Sequence, residues 1–128
     1  MDRSDLEAWM AAYRRAWTSD DPAEIGGLFT KDASYSPSPF SKAWSGRDQI
    51  VAKWVEHGDS KRPWEFEHVI LAFEGDTGVV KGLTNYPAFG EDPAAVYSNI
   101  WLIRLEPGGR AREFAEWWVE KPSKTQRG

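Results

Sequence analysis

Glu116 and Asn99 are the residues whose chemistry stands out. Both lie in one stretch, Val96 to Glu120, where two runs rich in β-branched and aromatic residues flank Glu106-Pro107-Gly108-Gly109. That pattern predicts a β-hairpin with a four-residue loop. Pairing Leu105 with Arg110 sets Asn99 opposite Glu116, Tyr97 opposite Trp118, Trp101 opposite Phe114 and Ile103 opposite Arg112, all on one face. An amide facing a carboxylate between aromatic pairs has the make-up of a ligand site, an apolar wall with a few convergent polar groups. A carboxylate desolvated among rings has its pKa raised toward neutral, which suits general acid/base work. The same pattern also fits a satisfied polar pair, with Arg112 or indole N–H groups neutralising Glu116. The faces depend on the register, since a single bulge would turn one strand over.

His68 is a second candidate proton carrier. Trp64 to Ile70 alternates, with Glu65 and Glu67 outward, so Trp64, Phe66, His68 and Ile70 share an inner face. An imidazole there titrates in the right range, although a lone strand His is also commonly a satisfied core residue. His57 closes a predicted helix, where a protonated imidazole interacts favourably with the C-terminus, and needs no other explanation.

Helices and strands must position these groups. Leu6, Trp9, Met10, Tyr13 and Trp17 form a single apolar stripe, which predicts a helix over Ser4 to Ser19 with Ser4 and Glu7 as a capping box. Asp21-Pro22-Ala23-Glu24 starts a second, brief helix with Ile25, Leu28 and Phe29 on its buried side, weakened by Gly26-Gly27. Asp32 to Tyr35 begins a short strand, and Ser36-Pro37-Ser38-Pro39 is an extended loop at the mouth of a cavity. Ser45-Gly46-Arg47-Asp48 starts a third helix that runs to about His57, with Ile50, Val51, Trp54 and Val55 as its apolar side and Gly58 as its C-cap. Strands follow at Trp64 to Ile70 and Val79 to Tyr86, the latter pointing Val80, Gly82, Thr84 and Tyr86 inward. A Gly/Pro loop then leads from Ala88 to Ala94 into the hairpin. Helices first and strands after, with the helices on one side of an antiparallel sheet, make an α+β domain.

Composition narrows the class. A chain of 128 residues fits one domain, over residues 1–121, with 122–128 as a polar tail. It has no cysteine, which excludes disulfides and thiolate chemistry. The net charge of −4 argues against nucleic acid, and no apolar run approaches the ~20 residues of a membrane span. MDRSDLEAW has no signal-peptide core, so a cytoplasmic location is expected. Eight Trp in 128 residues is high and points to a cavity or an interface as well as a core, while a Trp-heavy core accounts for some of them.

In order and spacing, the chain resembles the nuclear transport factor 2-like superfamily, and within it the SnoaL-like group, whose best-known enzymes are polyketide cyclases. The resemblance spans roughly Leu6 to Val119. It rests on Tyr13-Arg14-Arg15-Ala16-Trp17, Ile25-Gly26-Gly27-Leu28-Phe29, Asp32-Ala33-Ser34-Tyr35, Gly46-Arg47-Asp48-Gln49-Ile50, and the hairpin from Asn99-Ile100-Trp101 to Glu116-Trp117-Trp118. It implies a cone-shaped, strongly curved antiparallel sheet wrapped around three N-terminal helices, with a deep pocket between them. It also implies a homodimer through the outer sheet face, where Ile100, Leu102, Ala115 and Trp117 are more apolar than solvent favours.

The known chemistries of this fold fit unevenly. Steroid isomerases use a first-helix Tyr, a carboxylate base after the first short strand, and a protonated Asp in the late hairpin. Tyr13 matches, but the base position falls on Pro37-Ser38 and the acid position on Trp101. The Asp-Arg-Asp set of limonene-epoxide hydrolases and the paired pocket His of scytalone dehydratase have no counterparts at inward positions. SnoaL-like cyclases use an acidic pocket residue for proton transfer, and Glu116 fits that role, with Asn99 positioning it or holding a carbonyl oxygen.

Three readings remain open. One is an enzyme without metal or cofactor that acts on a hydrophobic, cyclic or aromatic molecule through Glu116, Asn99 and His68. The second is a binding protein whose wall is Tyr13, Trp17, Tyr35, Trp54, Trp64, Phe66, Tyr86, Tyr97, Trp101, Phe114 and Trp118. The third is a dimeric interaction module whose interior is filled by side chains.

Overall fold

The computed structural model describes residues 1–57 and 62–122. Of the expected features, the Gly58 C-cap and nearly all of the polar tail lie outside the described residues. Three helices, α1 (Arg3–Ser19), α2 (Pro22–Gly26) and α3 (Arg47–Glu56), accompany six strands: β1 (Phe29–Ser36), β2 (Trp44–Ser45), β3 (Glu65–Glu74), β4 (Thr77–Tyr86), β5 (Ala95–Leu105) and β6 (Ala111–Glu120). The strand order is β2-β1-β6-β5-β4-β3, an open sheet with β2 and β3 at its edges. The architecture is the mixed α+β arrangement expected from the sequence.

The apolar stripe of α1 explains why the sheet curls. Trp9 meets Phe29 of β1 and Phe114 of β6, Tyr13 meets Trp101 of β5, and Trp17 meets Phe66 of β3. Leu6 lies against Gly78 of β4. Arg14 donates to the Phe66 carbonyl at 2.6 Å. One helix thus touches strands from both halves of the sheet, and all five ring-bearing or aliphatic residues of its stripe are buried.

Several local expectations are corrected. The N-cap of α1 is Asp2, which accepts from the Ser4 N–H at 2.8 Å while its own N–H donates to Asp5 at 2.7 Å. The capping box therefore lies two residues before the expected Ser4–Glu7 pair, because Asp is as good an acceptor as Ser. In α2, Gly26 and Gly27 end the helix, so Phe29 opens β1 instead of packing from a helix. Val55 in α3 is exposed rather than on the buried side. The sheet is not wholly antiparallel, since β1 runs parallel to β6 with Tyr35 beside Phe114. A parallel neighbour needs a long crossover, and α3 with four strands, β2 to β5, supplies it.

The hairpin register also differs. Leu105 pairs with Ala111, and a bulge at Arg104/Leu105 adds a further step. Five residues, Glu106 to Arg110, form the loop, closed by the Glu106 N–H donating to the Arg110 carbonyl at 2.8 Å. Gly108 and Gly109 have φ of 104° and 91°, values that favour glycine. Asn99 therefore opposes Trp118, Trp101 opposes Glu116 and Ile103 opposes Phe114. From Tyr97 to Arg104 the offset is two residues, so the side chains there keep their predicted faces; beyond the bulge it is one, and Ala111 rather than Arg110 turns inward opposite Leu105.

Candidate active site

A cavity of about 410 Å³ opens between α1, α3 and the concave face of the sheet. Its inner wall carries one continuous polar chain. Thr84 on β4 donates its hydroxyl to the Asn99 carbonyl oxygen at 2.9 Å, and the Asn99 amide donates to Glu116 Oε2 at 2.7 Å. Three neighbouring strands each supply one member. Asn99 and Glu116 meet diagonally, a spacing that long side chains bridge. Thr84 and Asn99 are both buried. Both ends of the Asn99 side-chain amide are thus engaged by protein groups.

Burial raises the Glu116 pKa above the ordinary glutamate value, and the Trp101 and Asn99 donors oppose the rise. The Trp101 indole N–H completes no hydrogen bond of good geometry. It nevertheless faces the carboxylate closely enough to favour its charged form. Tyr13 and Tyr35 both line the cavity, and each hydroxyl influences the titration of the other. Burial and then the neighbouring negative charge hold both phenols well above their usual value, so both stay protonated donors. Arg112 does not neutralise Glu116, because it pairs with Asp76 at 2.7 Å and donates to the Leu105 carbonyl.

Ten of the expected site residues line the cavity: Tyr13, Trp17, Tyr35, Trp54, Tyr86, Tyr97, Asn99, Trp101, Glu116 and Trp118. Four do not. Phe66 and Phe114 are buried behind the lining, against Trp101 on either side. Trp64 stacks on Trp17 at 4.1 Å and braces it from outside. His68 is turned toward α1, where its Nδ1 lies 3.3 Å from Arg14 and its Nε2 lies 3.9 Å from Glu7. Burial, and then the Arg14 charge, lower its pKa despite Glu7. His68 therefore serves the α1–β3 contact and does not converge on Glu116.

Four further residues complete the lining: Trp44, His57, Arg62 and Thr84. Thr84 was legible as an inward residue of its strand. Trp44 stacks on Tyr35 at 4.6 Å and His57 stacks on Trp44. Neither lies in a periodic pattern that marks a wall, and Arg62 lies just before a strand begins. Among the described residues, no group of three His, Cys, Asp or Glu is placed to hold a metal ion, and no helix is long and apolar enough to cross a membrane.

Comparison with known proteins agrees with this geometry. The SnoaL-like domain model matches residues 7–117. The chain belongs to the SnoaL-like family. Among solved structures, the epoxide hydrolase/cyclase-like enzyme SalBIII, described in pyran ring formation in the polyether salinomycin, superposes with a TM-score of 0.75 at 16% identity, covering 92% of this chain and 93% of that one. A ketosteroid isomerase-like protein from Erwinia carotovora atroseptica superposes with a TM-score of 0.67 at 19% identity, covering 93% and 96%. At such identities the likeness establishes the fold alone. A search of curated proteins finds no match.

Proposed function

We propose that this SnoaL-like protein is a cofactor-independent enzyme that moves a proton on a hydrophobic, cyclic or aromatic substrate, with Glu116 as the proton carrier. The observation that carries the reading is a carboxylate of raised pKa, held by Asn99 and Thr84 at the wall of an aromatic cavity. A glutamate tuned upward by burial works near neutral pH as base and then as acid. The protonated Tyr13–Tyr35 pair stands in the same cavity as a hydrogen-bond donor set for an oxygen that gains charge when a neighbouring C–H is deprotonated. The cyclase-like and isomerase-like names of the two structural relatives belong to chemistry of this general kind.

The test is C–H exchange in deuterium oxide, followed by NMR over a panel of cyclic enolisable ketones. The wild type should exchange at least one of them. Glu116→Gln keeps the shape and an acceptor for Asn99, and should slow exchange by about 10²–10⁴-fold while binding stays within a few-fold. Normal exchange in that variant would remove Glu116 from the chemistry. Binding without any exchange in the wild type would make the protein a ligand carrier.

We also propose that the protein acts as a homodimer through the outer sheet face, supported by the exposed apolar residues there.

A further inference from the structure

Arg62 is the cavity residue that the proton-transfer reading leaves unused. Its guanidinium carbon lies over the Tyr86 ring, 4.7 Å from the centroid, and Nη2 donates to the Pro93 carbonyl at 2.9 Å. Those two contacts fix the group in place. Its Nε–H is buried and has no hydrogen-bond partner among the described residues. No carboxylate among the described residues lies within ion-pair distance of it. A guanidinium carries five N–H donors in a rigid fork, and at this cavity wall the Nε–H of Arg62 has no partner among the described residues. A buried charged donor without a partner is costly, and a carboxylate satisfies it two bonds at a time.

The position of Arg62 fits a second polar anchor. Tyr86, beneath the guanidinium, lies two residues along β4 from Thr84, the first member of the chain that holds Glu116. Two residues of strand span about 7 Å, roughly the length of one substituted ring. Tyr97 and Trp118 flank that interval and pack edge to face at 5.7 Å.

We infer that the ligand of this cavity is an organic acid whose carboxylate is received by Arg62 while its ring system lies along the aromatic wall toward Glu116. The inference rests on the cavity being a ligand site, as proposed above, and it is independent of whether turnover occurs.

The test compares 2-naphthoate with its neutral isostere 2-naphthamide, read by quenching of tryptophan fluorescence, which reports from the indoles of the cavity wall. The acid should bind the wild type at least tenfold more tightly than the amide. Arg62→Gln should bring the two within about twofold by weakening the acid alone. Unchanged amide binding then shows that the variant is folded. Arg62→Lys should keep part of the preference. Equal affinities in the wild type, binding of neither probe, or a preference that survives Arg62→Gln would overturn the inference. None of these outcomes depends on exchange, so Glu116→Gln judges the catalytic reading separately.

Discussion

Glu116 stands between two opposing influences, and its pH behaviour follows from their balance. Burial disfavours the carboxylate while Asn99 and Trp101 favour it, and burial prevails. The folded protein therefore holds a proton on Glu116 over a pH range where the unfolded chain has released it. In that window the native state binds more protons, so stability falls as pH rises through the folded pKa. Glu116→Gln removes this loss. Its melting temperature relative to wild type should rise with pH above the ordinary glutamate value of 4.5 and then level off, which a thermal-shift series across pH would show. The rate in the exchange assay should follow the opposite limb, rising as Glu116 becomes the base. Asn99→Ala supplies a positioning test. It deletes a donor to the carboxylate, so the pH–rate midpoint should move upward, and it leaves the Thr84 hydroxyl without its acceptor, which should cost about 1–3 kcal/mol in denaturant unfolding. A structural role alone would lower stability without moving the midpoint.

Among the elements, β3 and β4 approach closely beside the site, where Gly82 faces Phe66. A Cβ added at Gly82 would come within 2.6 Å and 2.9 Å of the Phe66 ring. That ring stacks on Trp101 at 4.9 Å, so it cannot retreat without pressing on the cavity wall. Gly82→Ala should destabilise the protein by about 1–3 kcal/mol and weaken ligand binding together; melting and naphthoate titration would measure both. Alternation identified Gly82 as inward, but not the ring it faces. The hairpin shows the same division. Asn99 and Glu116 share a face in the sequence pattern because strand periodicity is two, and the actual register differs by two, so the faces survived an incorrect pairing. His68 also shares the inner face, yet its direction is set by Arg14 and Glu7 on α1, a contact across more than fifty residues of chain that periodicity does not encode. Arg62 escaped notice for a related reason. Its place at the wall comes from the Tyr86 ring and the Pro93 carbonyl, both brought to it only by folding.

For the whole molecule, the open question is what covers the convex face of the sheet. The register aligns Val69, Lys81, Ile100 and Trp117 in one row across four strands, and Glu67, Leu83, Ser98 and Val119 in the next. Val69, Leu83, Trp117 and Val119 are exposed, Trp117 at 47% and Val119 at 69%. Scattered apolar residues need no explanation, but adjacent rows that end in an exposed indole and an exposed valine are unusual on a lone domain. A two-fold axis through this face would set one copy's rows against the other's, burying the same residues twice. The cavity opens on the opposite side of the sheet, so such a dimer would leave the site accessible. Trp117→Glu replaces the largest exposed apolar side chain of the patch with a charge, on the face away from the cavity. The proposed wild-type dimer should run at twice the chain mass by size-exclusion chromatography with light scattering, and Trp117→Glu should run as a monomer with an unchanged far-ultraviolet circular dichroism spectrum. A wild type that is monomeric at high concentration, or a variant that remains dimeric, would place the interface elsewhere. If association supports folding, the wild-type melting temperature should rise with protein concentration while that of the variant should not.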